Sequence, residues 1–264
     1  VTRHVRSRDN PLFKRLQRLA ASSRERRLEG ATLLDGPHLI EAHAQAGGVA
    51  ELLVISESAH ARTTARALFE TTPARARAIL DDALLGSVAQ VATPTGLLAV
   101  IPTPPPPAPP RQTETCLLLD GLQDPGNVGS ILRSAVAAGV RHVFLSRGCV
   151  FAWSPKVLRA GQGAHFRLAI YEQAALDAII DRFDGTVAAT EVAASVSLFD
   201  ADLARPIAWL FGAEGSGVSP ALAARAALRV RIPMPGPAES LNVAAAAAVC
   251  LFEQVRQQRR RAGQ

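Results

Sequence analysis

The sequence predicts an α/β protein of two domains, each a sheet covered by amphipathic helices. Two observations carry the prediction. Short apolar runs alternate with segments of helical period along most of the 264 residues. The alternation breaks once, at PTPPPPAPP (102–110), where seven prolines in nine positions exclude a helix or a central strand. Such a stretch runs extended as polyproline II and, at ~3.1 Å per residue, spans about 28 Å. The predicted organisation is therefore a smaller domain over 1–101, a proline-rich linker over 102–112 and a larger domain over 113–264.

In the first domain, NPLFKRLQRLAASSRERRL (10–28) sets Leu12, Phe13, Leu16 and Leu19 on one face and basic side chains on the other, an amphipathic helix. ATLLDG follows as strand, PHLIEAHAQAG as helix ending at Gly47, and AELLVIS as strand. A helix over 59–70, a short strand, a helix over 81–89 and a closing strand over 96–101 complete a small α/β sandwich.

The second domain reads as strand 115–121, helix 127–138, strand 141–146, a short helix 154–160 and strand 167–171. Helix 173–183, strands 186–192 and 206–212, helix 219–225 and strand 227–233 follow. A long final helix, 240–261, has Ser240 as its predicted cap. Arg256, Arg259, Arg260 and Arg261 lie at its C-terminal end, where cations suit the helix dipole. The pattern fits a parallel sheet with helices on both faces, which binds ligands beyond the carboxyl ends of its strands.

Composition narrows the function classes. No apolar run approaches the ~18–20 residues that span a bilayer, and VTRHVRSRDNP lacks the apolar core of a signal peptide. Cys116, Cys149 and Cys250 are far apart in apolar surroundings, and neither they nor the six histidines show metal-ligand spacing. They read as core residues of a reduced, cytoplasmic protein with no metal. Residues 1–30 hold nine basic side chains against three acidic ones, so the whole formal charge of +6 resides there. Concentrated positive charge of this kind marks a polyanion surface, most often for nucleic acid. Arg6, Arg8, Lys14, Arg15, Arg18 and Arg26 are the candidate RNA contacts.

Three times in the second domain an apolar strand runs into a turn of glycine, proline or asparagine: at CLLLDGLQDPGNVGSILRSA, at AWLFGAEGSGVSP and at RIPMPGPAESLNVAAA. None is a dinucleotide fingerprint or a phosphate loop. Glycines that expose backbone polar groups still suit an adenosine-type ligand. Each turn also carries polar side chains (Asn127, Glu214, Ser240, Asn242), which together suggest one composite site; Asn127 is the expected cap of helix 127–138, within which Arg133 sits among apolar Ile131, Leu132 and Val136.

These residues also carry a resemblance. N-x-G-x-x-x-R (Asn127, Gly129, Arg133), L-F-G-x-E-G-x-G (210–217) and I-P-M-x-G-x-x-E-S-L-N-V-x-x-A (232–246) resemble the three motifs of the SpoU/TrmH family, in the family's order. Those proteins are RNA ribose 2′-O-methyltransferases of the SPOUT class. The first half is similar to the substrate-binding domain, like ribosomal protein L30e, that precedes the catalytic domain in the ribosomal-RNA branch. Its opening motif is here Ser7, Asn10, Pro11, Lys14 and Leu19, and Asp35 stands where the family usually has glutamate.

The resemblance implies a deep trefoil knot in the catalytic domain, a homodimer formed through that domain, and S-adenosylmethionine as cofactor. It implies a cofactor site built from Leu210, Gly212, Glu214, Gly217, Ile232, Met234, Ser240, Leu241 and Asn242. Arg133, Asn127, Glu214, Ser240 and Asn242 form the implied catalytic set, with Arg133 central. The implied reaction is methylation of a ribose 2′-OH in ribosomal RNA, most naturally of the large subunit. Transfer RNA is the rival substrate, and a non-catalytic RNA-binding assembly factor is the rival function. Methyl transfer is an in-line displacement in which positioning contributes up to about 7–11 kcal/mol. The family assigns proton removal to the arginine matching Arg133, yet a guanidinium normally stays charged. Either that residue is perturbed, or it holds a phosphate and stabilises alkoxide character while another group, such as Glu214, takes the proton.

Overall fold

The computed structural model describes residues 2–91, 93–106, 108 and 114–263. Its elements run β1 (Thr2–Val5), α1 (Pro11–Ala21), α2 (Ser23–Glu29), β2 (Ala31–Asp35), α3 (Pro37–Gln45) and β3 (Ala50–Ser56). Next come α4 (Glu57–His60), α5 (Thr63–Thr71), β4 (Ala74–Leu80), α6 (Asp82–Val88) and β5 (Leu97–Pro102). They continue as β6 (Cys116–Asp120), α7 (Pro125–Ala137), β7 (His142–Leu145), α8 (Pro155–Gly161), a 3₁₀ turn (Ala164–Arg167), β8 (Ala169–Tyr171) and α9 (Leu176–Arg182). The last are β9 (Thr186–Thr190), β10 (Val196–Ser197), β11 (Ile207–Gly212), α10 (Pro220–Ala223), β12 (Leu228–Arg231) and α11 (Val243–Arg261). The chain divides into two compact units, residues 1–105 with 153–166, and residues 106–152 with 167–264.

The first unit is built on a five-stranded sheet in the order β1-β4-β3-β5-β2. β1, β4 and β3 are mutually parallel, and β5 runs antiparallel to both β3 and β2. Phe13, Leu16 and Leu19 of α1 are fully buried against Leu33, Val54, Leu80 and Val100 of the sheet, so the amphipathic reading of 10–28 holds for its apolar face. The single helix expected there is two. Ser22 adopts an extended backbone, and its side chain accepts from the Glu25 amide to cap α2, a local bond that competes with helix continuation. The edge strand β1 and the break between α4 and α5 also escaped the periodicity, which cannot resolve four-residue elements.

Segment 153–166, expected within the second domain, belongs to the first unit. The side chain of Arg159 donates to the Gln90 carbonyl at 3.0 Å, and Phe166 meets His43 edge-on at 5.2 Å between ring centroids. Trp153, Val157 and Leu158 are buried. A boundary drawn from linker composition does not register a later segment that returns. Of the linker itself, Pro102 closes β5, and 103–106 and 108 carry no helix or strand. The extended conformation expected for 107 and 109–112 lies outside the described residues.

The second unit contains the parallel sheet the sequence predicts, seven strands in the order β10-β12-β9-β11-β6-β7-β8. Its central strands β11 and β6 are buried nearly end to end, as strands covered on both faces must be. α7 and α11 pack on each other, and alanines along α11 permit close approach. One buried polar network ties α11 to the sheet. The Trp209 indole donates to Gln254 Oε1 at 2.8 Å, while the Gln254 amide donates to Thr115 Oγ1 and the Arg205 carbonyl, each at 3.0 Å. Cys116 and Cys250 are core residues whose thiols burial pushes up to about 12; Cys149 is only half-buried.

The basic N-terminal surface differs from expectation. Arg26 is 4% exposed, and its guanidinium donates to the Leu19 carbonyl, to the Ala20 carbonyl at 3.3 Å and to Ser23 Oγ at 2.8 Å. Desolvation, followed by the Arg27 charge, holds it below its ordinary value. It ties the end of α1 to α2 and presents no charge to a ligand. Arg15 is bound to Glu29 and forks onto Glu51 at 2.6 and 3.0 Å, which neutralises it as well. Replacing Arg26 with alanine is expected to destabilise the protein by about 2–3 kcal/mol, because charged hydrogen bonds to α1 are lost and its terminal carbonyls are left bare. The salt slope of the polyanion binding expected of this segment should not change. Denaturant melts and filter binding check the two halves of this outcome.

Candidate functional site

The carboxyl ends of β6, β9, β11 and β12 lie at one edge of the parallel sheet, and all three predicted turns gather there. The turn after β11 depends on its glycines. A Cβ on Gly212 would lie 2.0 Å from the carbonyl carbon of Gly217 and 2.1 Å from the Val218 amide nitrogen. No side chain fits, so the loop folds directly back on its strand, closed by the Gly217 amide donating to the Ala213 carbonyl at 2.8 Å. Asp120, at the end of β6, accepts from the Ser219 amide at 2.9 Å and fixes the far side of the same loop.

Glu214 projects from this loop into a three-way hydrogen-bonded contact. Its Oε1 accepts from Asn127 Nδ2 at 2.6 Å and from Asn242 Nδ2 at 2.8 Å. The Asn242 amide also donates to Asn127 Oδ1 at 2.8 Å. One residue from each predicted motif is thus joined directly to the other two. The other end of the Asn242 side chain caps α11, where its Oδ1 accepts from the Ala244 and Ala245 amides at 2.9 and 3.3 Å.

Two cavities flank the 213–217 loop and share Ala213, Glu214, Ser216 and Gly217 as a common wall. The larger, about 820 Å³, is lined by Gly212, Glu214, Gly217, Ile232, Met234, Ser240, Leu241 and Asn242, which are eight of the nine residues expected around a cofactor. The ninth, Leu210, does not line it; it is wholly buried within the sheet, one strand residue too deep. The volume is that of a small-molecule site. The apolar side chains of Val230, Ile232, Met234 and Leu241 offer flat walls for a planar base, and the glycine-rich turn offers backbone polar groups. Glu191, which also faces Arg229 at 3.7 Å, and Glu214 place carboxylates in the same lining, acceptors that fit a nucleoside bearing a positive charge. Thr190–Ala193 also lines this cavity and was missed: the sequence carries no turn residue there, and the predicted strand ran on to 192, whereas β9 stops at Thr190. The rule that ligands sit beyond parallel strand ends would have found it. The second cavity, about 690 Å³, lies between Asp120–Asp124, Asn127 and the loop 213–220.

Three expected details are different. The cap of α7 is Asp124, whose Oδ1 accepts from the Asn127 amide at 2.7 Å; Asn127 lies inside the first turn and is 8% exposed. Ser240 does not cap α11, which begins at Val243, and is an exposed wall of the larger cavity. Arg133 is exposed, lines neither cavity and makes no ion pair with Glu214. Six residues along a helix turn the chain by about 240°, so Arg133 and the buried Asn127 leave α7 from different faces. Apolar neighbours at Ile131 and Leu132 do not bury it.

The chain matches the SpoU rRNA Methylase family over residues 114–252. An uncharacterized tRNA/rRNA methyltransferase of Synechocystis is 33% identical to it, over 96% of this chain and 94% of that protein. The 23S rRNA (guanosine(2553)-2′-O)-methyltransferase RlmP of Bacillus subtilis is 29% identical, over 88% of this chain and 91% of its own length. Among solved structures, the SpoU methyltransferase AviRb from Streptomyces viridochromogenes, in complex with AdoMet, superposes with a TM-score of 0.85 at 28% identity, covering 94% of this chain and 98% of that one.

Asn242→Asp separates the cap from the three-way contact. Aspartate keeps an acceptor for the first turn of α11 but sets a second carboxylate against Glu214. The expected outcome is a melting temperature close to wild type with cofactor binding weakened at least tenfold. Asn242→Ala should lose both, with about 1 kcal/mol of stability gone. Thermal melts and calorimetric titration with S-adenosylmethionine distinguish the two variants.

Proposed function

The chain belongs to the SpoU rRNA methylase family, and from that premise we propose that it transfers a methyl group from S-adenosylmethionine to a ribose 2′-OH of ribosomal RNA, most naturally of the large subunit. The observation that carries this reading is the meeting of Asn127, Glu214 and Asn242 beside a cavity lined by the residues of motifs two and three expected to hold the cofactor. The named activity of RlmP supports the substrate class.

Bound in the larger cavity, S-adenosylmethionine supplies an electrophilic methyl group on a sulfonium centre. The chain's own residues do the positioning. Asn127 and Asn242 hold Glu214 at the common wall of the two cavities, so its carboxylate faces both the cofactor side and the side open to a nucleotide. From there it can orient the ribose hydroxyl and accept its proton as the oxygen attacks. Ser240 and the backbone of the 213–217 loop line the cofactor side. Arg133 is a charged donor without an intramolecular partner among the described residues, which suits a grip on RNA phosphate better than proton transfer. Because it lies outside both cavities of one chain, it would act on RNA crossing the cavity mouth or in the site of a second copy. A homodimer through the catalytic unit belongs to the same proposal, supported by the exposed apolar side chains Leu241 and Phe252 at and along α11. So does the trefoil knot that the resemblance of the three motifs implies.

The first unit would hold the RNA, with exposed Arg6, Arg8, Lys14 and Arg18 as phosphate contacts; the weak surface pairs of Arg6, Lys14 and Arg18 can exchange for phosphate. A cytoplasmic location goes with this substrate. Among the described residues no helix is long and apolar enough to cross a membrane.

The test is transfer of labelled methyl from S-adenosylmethionine to separated total-RNA fractions. Label in large ribosomal RNA is expected; label confined to transfer RNA would keep the chemistry and replace the substrate. Arg133→Ala is expected to abolish turnover while calorimetric cofactor affinity stays within about twofold. Near-full turnover would remove Arg133 from the reaction.

A further inference from the structure

The cluster RQQRRR near the end of α11 is more charge than its helix uses. Arg256 is occupied, its guanidinium forking onto Glu253 at 2.5 and 2.7 Å. Arg259, Arg260 and Arg261 are exposed and make neither an ion pair nor a side-chain hydrogen bond among the described residues. One cation in a last turn complements the helix dipole. Three adjacent ones, of which only Arg260 lies near a carboxylate, Glu253, repel each other and create a focused positive field that attracts a polyanion. The N-terminal segment is mixed: Arg26 is buried, Arg15 is neutralised by two glutamates, and Arg6, Lys14 and Arg18 each face a carboxylate, while Arg3, Arg8 and Arg24 are exposed. Net charge read from the sequence therefore overstates the first unit as an anion surface and understates the second.

The other end of α11 is capped by Asn242, which touches Glu214. The helix is 19 residues long, and at ~1.5 Å per residue its arginine end lies about 28 Å from that contact. This is on the order of one turn of a nucleic-acid duplex. We infer that Arg259, Arg260 and Arg261 form an RNA-backbone contact of the catalytic unit, gripping phosphates about one duplex turn from the ribose that is methylated. The inference rests on the proposed RNA substrate. α11 then acts as a rigid spacer between the reaction site and a phosphate anchor, and it couples the two without any loop between them.

The full chain carrying Arg259→Gln, Arg260→Gln and Arg261→Gln, and a second variant with lysine at all three positions, test it. Filter binding of transcribed large-subunit ribosomal RNA is followed from about 50 to 200 mM salt. Each phosphate contact contributes ~0.7–0.9 to the slope of log affinity against log salt, so the glutamine variant should lose roughly 2 from that slope. Its KM for RNA should rise on the order of tenfold, with kcat at saturating RNA and cofactor affinity unchanged. Lysine should restore most of the binding, because a point charge suffices for phosphate. An unchanged slope and KM in the glutamine variant would overturn the inference, and a lowered melting temperature alone would leave the arginines a dipole role. Loss of a dimer by light scattering, with RNA affinity intact, would assign them to contact between copies. A wild-type chain that binds this RNA steeply with salt yet methylates nothing would sink the enzymatic reading and leave the slope test decisive. One that binds no RNA would sink both.

Discussion

One carboxylate oxygen, Glu214 Oε1, is shared by the side-chain amides of Asn127 and Asn242. The three residues come from α7, from the loop after β11 and from the start of α11, and each is fixed by a separate backbone device. Asp124 caps the turn that contains Asn127. The missing Cβ of Gly212 lets the Glu214 loop fold back on its strand. The first turn of α11 holds Asn242 by its own cap. Glu214 lies in the walls of both flanking cavities, Asn242 in the larger and Asn127 in the second. A shift in any of the three backbones would open it, and the cost would fall on cofactor side and nucleotide side together.

The surroundings explain how such a contact stays in place near solvent. Beneath it, β11 and β6 are buried nearly end to end and paired in register from Ala208 with Cys116 to Gly212 with Asp120. The Trp209–Gln254–Thr115 network locks α11 to these strands, with the indole N–H and both Gln254 amide hydrogens accepted. Buried polar groups are costly unless paired, so a satisfied network of this kind specifies one seating of α11 over others. Its N-terminal cap is then delivered to Glu214 with little freedom left to lose, which is the preorganisation that a positioning mechanism requires.

Charge distribution follows a different logic. Two arginines of α1 and α2 serve as internal fasteners: Arg15 bridges Glu29 and Glu51, and Arg26 fills the junction between the two helices. Buried or paired guanidinium groups stabilise the unit that carries them and contribute little to long-range attraction of RNA. Exposed, unpaired ones are what an approaching polyanion meets, and they include Arg133 and the last three arginines of α11. Counting charges along a chain does not separate the two kinds.

The amino-acid order alone reveals the α/β class, the strands and helices of the second unit apart from the two-residue β10, the family, and eight residues of the larger cavity's lining. These are local properties: apolar periodicity, glycine and asparagine at turns, and contiguous motifs all act within about ten residues of chain. Only the tertiary structure decided which charges are spent inside, where 153–166 belongs, that Asp124 and Asn242 rather than Asn127 and Ser240 cap their helices, and that Arg133 faces solvent. Each of those depends on which groups from distant elements arrive at the same place. Burial and pairing of a side chain are set by its neighbours in space, and a helix position six residues on from a buried asparagine carries no sign of which neighbours it will find.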